Sequence, residues 1–146
     1  MIGVDPGNQG AIACWASPDR LLWVRPLVGG KLTPEIVALI QASGSKVAIV
    51  EEPTYDPARS GHNSAKTQHE NVGRALGVLE ALGLRVLRPT AQTWRKLTGT
   101  SGANKRVRDD KGRVWIKHKT GRAGLTSGEM DAAQIGWSGF YLDRRA

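Results

Sequence analysis

The chain opens with a short apolar run that ends in an acidic residue. Residues 2–4 are followed by Asp5, and Pro6 and Gly7 come directly after it. Proline fixes φ and glycine permits positive φ, so the chain can reverse immediately after the acid. A second apolar run, 11–15, then leaves the turn. The pattern predicts a hairpin whose first strand ends in an exposed carboxylate, which is either a functional acid or an ordinary turn residue.

The rest of the pattern alternates strands with helices. A third strand is predicted at 21–27, and Thr33 and Pro34 are typical of the start of a helix that ends near Gly44. Further strands are predicted at 47–50 and 84–87, and further helices at 64–82, 90–97, parts of 104–120 with a break at Gly112, and 127–142. Antiparallel strands followed by helical crossovers predict an α/β fold, a mixed five-stranded sheet flanked by helices, in one domain spanning 1–146.

The fourth predicted strand also ends in acids, Glu51 and Glu52. Crossovers through helices place this strand parallel to the first one, so the ends of the two strands can lie side by side. We therefore expect Asp5 and Glu51 to be neighbours. Glu52 is the alternative to Glu51.

A third acid, Asp131, lies near the start of the last predicted helix, where Ala132 and Ala133 would let that helix approach the sheet closely. Like charges repel unless a cation neutralises them. Oxygen ligands without a Cys/His cluster suit Mg²⁺ or Mn²⁺, and two such ions can activate water and stabilise the leaving oxygen in phosphodiester cleavage.

The charge of the chain indicates a polyanionic partner. The formal net charge of the 146 residues is +8, and residues 104–122 contain eight basic residues against two acids. The basic residues are Lys105, Arg106, Arg108, Lys111, Arg113, Lys117, Lys119 and Arg122. A solvated helix face is the alternative interpretation, but this concentration of charge favours a surface that binds nucleic acid phosphates.

Several classes of protein are disfavoured. No run approaches the roughly 20 apolar residues of a membrane span. The N-terminus begins directly with a predicted strand, so we expect no signal peptide. The single cysteine, Cys14, lies in a predicted buried strand. A lone cysteine gives no disulfide framework and fits a reducing compartment such as the cytoplasm.

An ordered set of short motifs runs through nearly the whole chain. The motifs are residues 2–7 with Gly10, 47–51, 73–75, Pro89 with 94–96, 98–99, Lys105, and 130–132. This set resembles the RuvC-type Holliday junction resolvases, or crossover junction endodeoxyribonucleases, of the RNase H-like superfamily. The short form is more similar to their bacteriophage branch, which implies the cytoplasm of a bacterial host. The resemblance implies a Mg²⁺-dependent or Mn²⁺-dependent endonuclease with two ions per site that resolves four-way junctions and related branched DNA.

The resemblance also implies the metal ligands. Three family positions fall on Asp5, Glu51 and Asp131, and Glu51 is preferred to Glu52 because the family's acid directly follows the apolar run. The fourth family position, an Asp or His, falls on Gly128, which has no side chain to bind a metal. The neighbouring Glu129 is the substitute, with a solvated surface charge as the alternative.

Further expectations concern DNA and the partner subunit. Lys105 matches a family position near the scissile phosphate, where an ammonium group can stabilise transition-state charge. Tyr55, in the polar loop after Glu51, could stack on a base or rest on the protein surface. The residues expected to contact DNA are Tyr55, Lys105, Arg106, Arg108, Arg113, Lys117 and Lys119. A junction with two equivalent strands implies a homodimer, for which the apolar face of helix 64–82 is the candidate interface.

Two other functions remain open at this point. A non-catalytic protein that binds branched DNA would tolerate Gly128 at the family's fourth acidic position. An actin-like or sugar-kinase-like ATPase also opens with an acid and glycines on a hairpin. Such ATPases need a second phosphate loop and a far longer chain, which disfavours them here.

Overall fold

A computed structural model describes residues 1–54 and 61–145, and its centre is a mixed five-stranded sheet. The strands are β1 (Ile2–Asp5), β2 (Ala11–Ser17), β3 (Arg20–Pro26), β4 (Val47–Val50) and β5 (Arg85–Leu87). Their order in the sheet is β3-β2-β1-β4-β5. The β1–β2 and β2–β3 pairs are antiparallel, whereas β1–β4 and β4–β5 are parallel. The predicted sheet is confirmed, and β1 lies in its middle.

Five α-helices accompany the sheet in the described part of the chain. They are α1 (Pro34–Ser43), α2 (His62–Ala81), α3 (Ala91–Thr98), α4 (Lys105–Thr120) and α5 (Ser127–Leu142). The side chains of Thr33, Thr90, Asn104 and Thr126 cap α1, α3, α4 and α5 by accepting a backbone N–H. None of these helices combines the length and apolar character needed to cross a membrane.

The expected break at Gly112 is wrong, because α4 runs through it without interruption. Gly112 is buried where α4 packs on α5. A Cβ atom there would lie 3.2 Å from Nε2 of Gln134 and 3.8 Å from Sδ of Met130. Glycine lowers helix propensity, but here it lets two helices approach closely.

The helices cover both faces of the sheet. On one face, α1 and α2 enclose a core that includes Val4, Cys14 and Leu79. On the other face, α4 and α5 enclose a second core that includes Trp15 and Ile116. These two cores fix α1, α2, α4 and α5 relative to the strand ends, and a third cluster of Trp94 with Ile49 and Ile135 fixes α3.

Helix α5 approaches β1 very closely through small residues. A Cβ atom on Gly3 would lie 2.2 Å from the backbone nitrogen of Gly136 and 2.3 Å from the carbonyl oxygen of Ala132. No side chain fits at Gly3, so backbone packs directly on backbone. This contact brings the first turns of α5 over the end of β1, as the small residues after Asp131 predicted.

The apolar face of α2 is largely used by the core. Val72, Ala75 and Leu79 are buried, and Leu76 and Leu82 pack partly buried against the same cluster. The outward positions 73, 74 and 77 carry Gly, Arg and Gly. The wide apolar face predicted for a subunit interface therefore packs mostly on the sheet of its own chain.

Candidate active site

Asp5 ends β1 and is held by the turn that follows it. Its Oδ1 accepts a hydrogen bond from the Gly7 N–H at 3.1 Å. The Gly10 N–H donates to the Gly7 carbonyl at 2.9 Å, and a Cβ atom on Gly10 would lie 2.0 Å from the Asp5 carbonyl oxygen. Only glycine permits a turn this tight, and the turn fixes the Asp5 carboxylate at the C-terminal end of the central strand β1.

Glu51 lies beside Asp5 because β1 and β4 are parallel neighbours. Val4 pairs with Val50, and the Glu51 N–H donates to the Val4 carbonyl at 3.2 Å. The Glu51 Oε2 accepts a hydrogen bond of 2.7 Å from Nε1 of Trp94. Successive side chains of an extended segment point in opposite directions. Glu52 accordingly points elsewhere and pairs with Arg88 at 2.6 Å.

Asp131 reaches the same region from the first turns of α5. Its Oδ2 lies 3.4 Å from Nη2 of Arg95. The Arg95 guanidinium in turn lies over the Trp94 ring, 4.5 Å from its centroid. Two consecutive residues of α3 thus contact two carboxylates that come from different elements.

The three carboxylates influence one another, and we call Asp5, Glu51 and Asp131 the acidic cluster. Burial is the largest cause that raises the pKa of each one. The Asp5 charge further raises the pKa of Glu51, and both charges raise the pKa of Asp131, which reaches about 7. The positive charge of Arg95 opposes all three increases. The structure therefore brings these residues within electrostatic reach, at a cost that a bound cation would remove.

Lys105 stands at the mouth of a pocket beside the acidic cluster. The pocket has a volume of about 510 Å³ and is lined by Asp5, Asp131, Lys105 and Ser127, among others. The Lys105 ammonium donates to Oδ2 of Asp109 at 2.6 Å and to Oγ of Ser127 at 2.9 Å. Ser127 also donates to Oδ1 of Asp109 at 2.9 Å. This triangle holds the ammonium group next to the acids, although the Lys105 side chain is 68% exposed.

Glu129 forms the cap of α5 in this structure, and its role as a substitute for a fourth acid stays a prediction. Its Oε1 accepts the Thr126 N–H at 3.1 Å, and the Glu129 N–H donates to the Thr126 hydroxyl at 3.2 Å. This capping box commits the carboxylate to the start of α5. A Cβ atom at Gly128 would lie 2.2 Å from the Gln9 carbonyl oxygen. The turn after β1 therefore leaves no room for a side chain at position 128.

The donor set of the cluster fits a hard cation. Carboxylate oxygens are the ligands that Mg²⁺ and Mn²⁺ prefer. Within residues 1–54 and 61–145, no three His, Cys, Asp or Glu side chains are already arranged to hold a metal ion. Trp94 holds Glu51 and Arg95 holds Asp131 in this structure, and mutual repulsion favours separation of the acids. A cation would have to draw the carboxylates together.

Helix α4 exposes most of the basic residues that the sequence assigned to DNA. Among the described residues, we find no hydrogen bond or ion pair for the exposed side chains of Arg106 and Lys117. Arg113 pairs with Asp110, Arg108 donates to the Gly102 carbonyl, and the Lys119 ammonium lies over the Trp137 ring. Tyr55 lies outside the described residues.

Trp115 anchors α4 to the core. Its ring packs edge-on against Trp15 at 6.1 Å and against Trp137 at 5.5 Å between centroids. Such aromatic contacts stabilise packing beyond the buried area alone. The tryptophan within the basic segment is thus a structural residue, and the helix presents mainly charge to solvent.

Sequence reasoning missed two kinds of site residue. Trp94 and Arg95 entered only as part of a motif, and their contacts with Glu51 and Asp131 depend on a short helix that packs beside the strand ends. Asp109 and Ser127 were not identified as partners of Lys105. The spacing of Lys105 and Asp109, four residues apart on a predicted helix, is the signal that could have indicated that pair.

Comparisons with known proteins identify the fold. A solved structure of Thermus thermophilus RuvC with a Holliday junction substrate matches with a TM-score of 0.73 and 16% identity, over 100% of this chain and 96% of that one. A second RuvC structure from Thermus thermophilus matches with a TM-score of 0.65 and 17% identity, over 99% and 96%. The Fowlpox virus resolvase with Holliday junction DNA matches with a TM-score of 0.55 and 12% identity, over 98% of each chain.

The comparisons by sequence find no relative: no protein-family model and no curated protein matches the chain. The structural likeness nevertheless extends over the whole chain. At these low identities it establishes the fold, and the predicted RNase H-like fold of the RuvC type is confirmed.

Proposed function

We propose that this protein is a structure-specific endodeoxyribonuclease that resolves Holliday junctions and related branched DNA by metal-dependent phosphodiester hydrolysis. The observation that carries the proposal is the acidic cluster, which three distant parts of the chain build beside Lys105. The same fold occurs in RuvC and in a poxvirus resolvase, both of which were solved with a Holliday junction.

The acidic cluster would hold Mg²⁺ or Mn²⁺ through the carboxylates of Asp5, Glu51 and Asp131, with up to two ions once a phosphate adds its oxygens. A bound metal of this kind activates water and stabilises the leaving oxygen of a phosphodiester. Lys105, held by Asp109 and Ser127, places an ammonium group where it can offset the charge that develops on the phosphate. The Asp5 turn and α3 supply rigid positions for the acids, which catalysis requires.

Helix α4 would supply most of the affinity for DNA. It begins with Lys105 at the pocket and carries its exposed cations away from the acidic cluster. Arg106 and Lys117 lie eleven residues apart, so about three helical turns place them on the same face. Lys and Arg on one helix face neutralise phosphates whatever the base sequence. Because the cations of α4 would bind the DNA backbone, an acidic site beside them can act on a polyanion.

Two equivalent strands must be cut in a junction, so we infer a two-fold homodimer with one acidic cluster per subunit. The outward face of α2, with Gly73, Arg74 and Gly77, would permit close approach of a second copy. Light scattering of the protein at micromolar concentration should show a dimer, and a monomer alone would contradict this part of the proposal. We place the activity in the cytoplasm, where the DNA substrate would be found.

The deciding experiment uses a labelled four-way junction with Mg²⁺. We expect paired nicks that yield two linear duplexes, and no cleavage in excess EDTA. A flap, a replication fork and a linear duplex built from the same strands measure the preference for branched DNA. Tight binding of the junction without cleavage in either Mg²⁺ or Mn²⁺ would instead support a non-catalytic DNA-binding protein.

A further inference from the structure

Arg95 is a cation inside a site that is built to receive a cation. Its side chain is only 20% exposed, and the carboxylate of its partner Asp131 is 24% exposed. Among the ion pairs of residues 1–54 and 61–145, the Arg95–Asp131 pair is the one that reaches the acidic cluster. Lys105 stands at the mouth of the pocket and is already bound by Asp109.

The position of Arg95 is fixed by α3. The guanidinium stacks over Trp94, whose side chain is fully buried and donates to Glu51. Thr90 caps the start of α3, and the Thr98 hydroxyl ties its end to Gln134 of α5 at 3.3 Å. The guanidinium is thus held close to the acids by the packing of Trp94 and by the two ends of α3, in addition to its own contact with Asp131.

The contact between Arg95 and Asp131 is long. At 3.4 Å, it exceeds the roughly 2.7–2.9 Å of a strong charge-assisted hydrogen bond. Arg95 therefore acts on the cluster mainly through its charge, and that charge opposes the raised pKa of all three carboxyls. Three carboxylates and one guanidinium leave two negative charges when the acids are ionised, which is the charge that one divalent ion balances.

We propose that Arg95 is a built-in counter-ion that stabilises the acidic cluster before a metal binds and lowers the affinity of the site for divalent cations. The proposal rests on the proposed function, because it takes the acidic cluster as the metal site. It makes Arg95 a positioning residue, since Arg95 acts through the carboxylates. The chain can then fold with three like charges at one edge of the sheet in the absence of metal.

The test compares Arg95→Gln with the full-length wild-type chain, without DNA. Unfolding temperatures are measured in EDTA, and the binding of Mn²⁺ alone is measured from the loss of the free-ion EPR signal. We expect the unfolding temperature to fall by about 5 °C. The affinity for Mn²⁺ should rise roughly tenfold because a repelling charge is gone. Arg95→Lys, which keeps the charge, should restore most of both properties.

Two further variants separate charge from packing. Arg88→Gln removes the same charge from the ion pair with Glu52, outside the cluster, and should leave Mn²⁺ affinity unchanged. Asp131→Asn combined with Arg95→Gln should recover most of the lost unfolding temperature, even if Arg95→Gln alone does not fold. Lack of recovery, or Mn²⁺ affinity in Arg95→Gln that is equal to or weaker than wild type, would overturn the proposal. If wild type bound no Mn²⁺, the nuclease proposal would fail, while the unfolding measurements would still decide the counter-ion role.

Discussion

The acidic cluster and helix α4 carry their charges in opposite ways. In the cluster, Asp131 and its partner Arg95 are 24% and 20% exposed, and the three acids repel one another. On α4, Lys105 and Arg113 are 68% and 62% exposed, and both pair with acids of the same helix. Charges that are partly removed from water interact more strongly than charges on a solvated surface.

We therefore expect the acidic cluster to determine catalysis and α4 to determine affinity for DNA. In the proposed function, a carboxylate in the cluster costs folding stability and would bind a metal, whereas a cation on α4 costs little and would attract DNA over a longer range. One substitution in the cluster should therefore change catalysis and stability together. A substitution of an exposed α4 cation other than Lys105, such as Arg106 or Lys117, should change DNA binding alone.

The first prediction, with the largest expected effect, concerns Asp5→Asn in the acidic cluster. A neutral amide is a poor ligand for Mg²⁺, so junction cleavage should fall by about 10³-fold or more. Junction affinity should be retained, because the proposed function assigns it to α4. The unfolding temperature in EDTA should be no lower than that of wild type, since one repelling carboxylate is gone. Single-turnover cleavage, a binding titration in Ca²⁺ and thermal unfolding measure the three properties.

Asp19→Asn is the matched control for Asp5→Asn. Asp19 lies in the exposed turn between β2 and β3, at the end of the strands opposite to Asp5. It should leave cleavage unchanged. Nicking by Asp5→Asn at the wild-type rate would mean that Asp5 is an ordinary turn residue and that the proposed active site is wrong.

The second prediction concerns the double reversal Arg106→Glu and Lys117→Glu on α4. Loss of two phosphate contacts should weaken binding of junctions and linear duplexes alike by roughly 30-fold, and should reduce the salt slope of the affinity by about 2. The unfolding temperature should change little, because both side chains are exposed. Binding titrations at several salt concentrations measure the effect.

The control for this reversal has the same change in charge. Arg20→Glu with Lys46→Glu alters exposed residues at the opposite edge of the sheet, next to the starts of β3 and β4. It should weaken binding much less. Equal losses for the two double variants would show that net charge alone, and not α4, determines affinity.

Most of the fold could be predicted because local signals and the hydrophobic pattern agree. Thr33 and Pro34 indicated the start of α1, and β4 was recognisable as four consecutive apolar residues, the last three of which are buried. The prediction at Gly112 was wrong because it used only the low helix propensity of glycine. A glycine occupies this position because α5 packs closely against it. The general lesson is that a glycine in a helix can report either a break or a close neighbour, and only packing tells them apart.

Part of the site could be predicted for a related reason. Topology alone places Asp5 beside Glu51, because parallel neighbouring strands end at the same edge. The contacts of Trp94 and Arg95 depend instead on where α3 packs, which periodicity does not reveal. The capping box of Glu129 with Thr126 depends on where α5 begins, and the expected metal-ligand role of Glu129 stays a prediction.

The third prediction tests why the cluster lacks a fourth acid. Gly128→Asp would place an acid where the sequence resemblance led us to expect one, but its Cβ atom would meet the Gln9 carbonyl at 2.2 Å. Backbone on both sides cannot easily move, so we expect destabilisation of about 3 kcal/mol. Urea unfolding measures it, with Gly124→Asp as a control at a position that has open space but positive φ. A stable Gly128→Asp protein with faster cleavage would show that the turn can yield and that the fourth position is usable.

The smallest predicted effect is the dependence of stability on pH without metal. Burial, as the largest cause, raises the pKa of Asp131 from 3.8 to about 7. Between these values the folded protein keeps a proton that the unfolded chain has lost, so this contribution to stability is full at low pH and is lost as pH rises through the folded pKa.

Asp131→Asn does not titrate. The free energy of unfolding of the variant minus that of wild type, from urea unfolding in EDTA, should therefore rise by about 2 kcal/mol between pH 5 and pH 8. Added Mg²⁺ should reduce the difference at pH 8, because it stabilises only a cluster with ionised acids. A difference that is equal at both pH values would mean that the cluster carries its charge as cheaply as α4 does, and the contrast between the two regions would be lost.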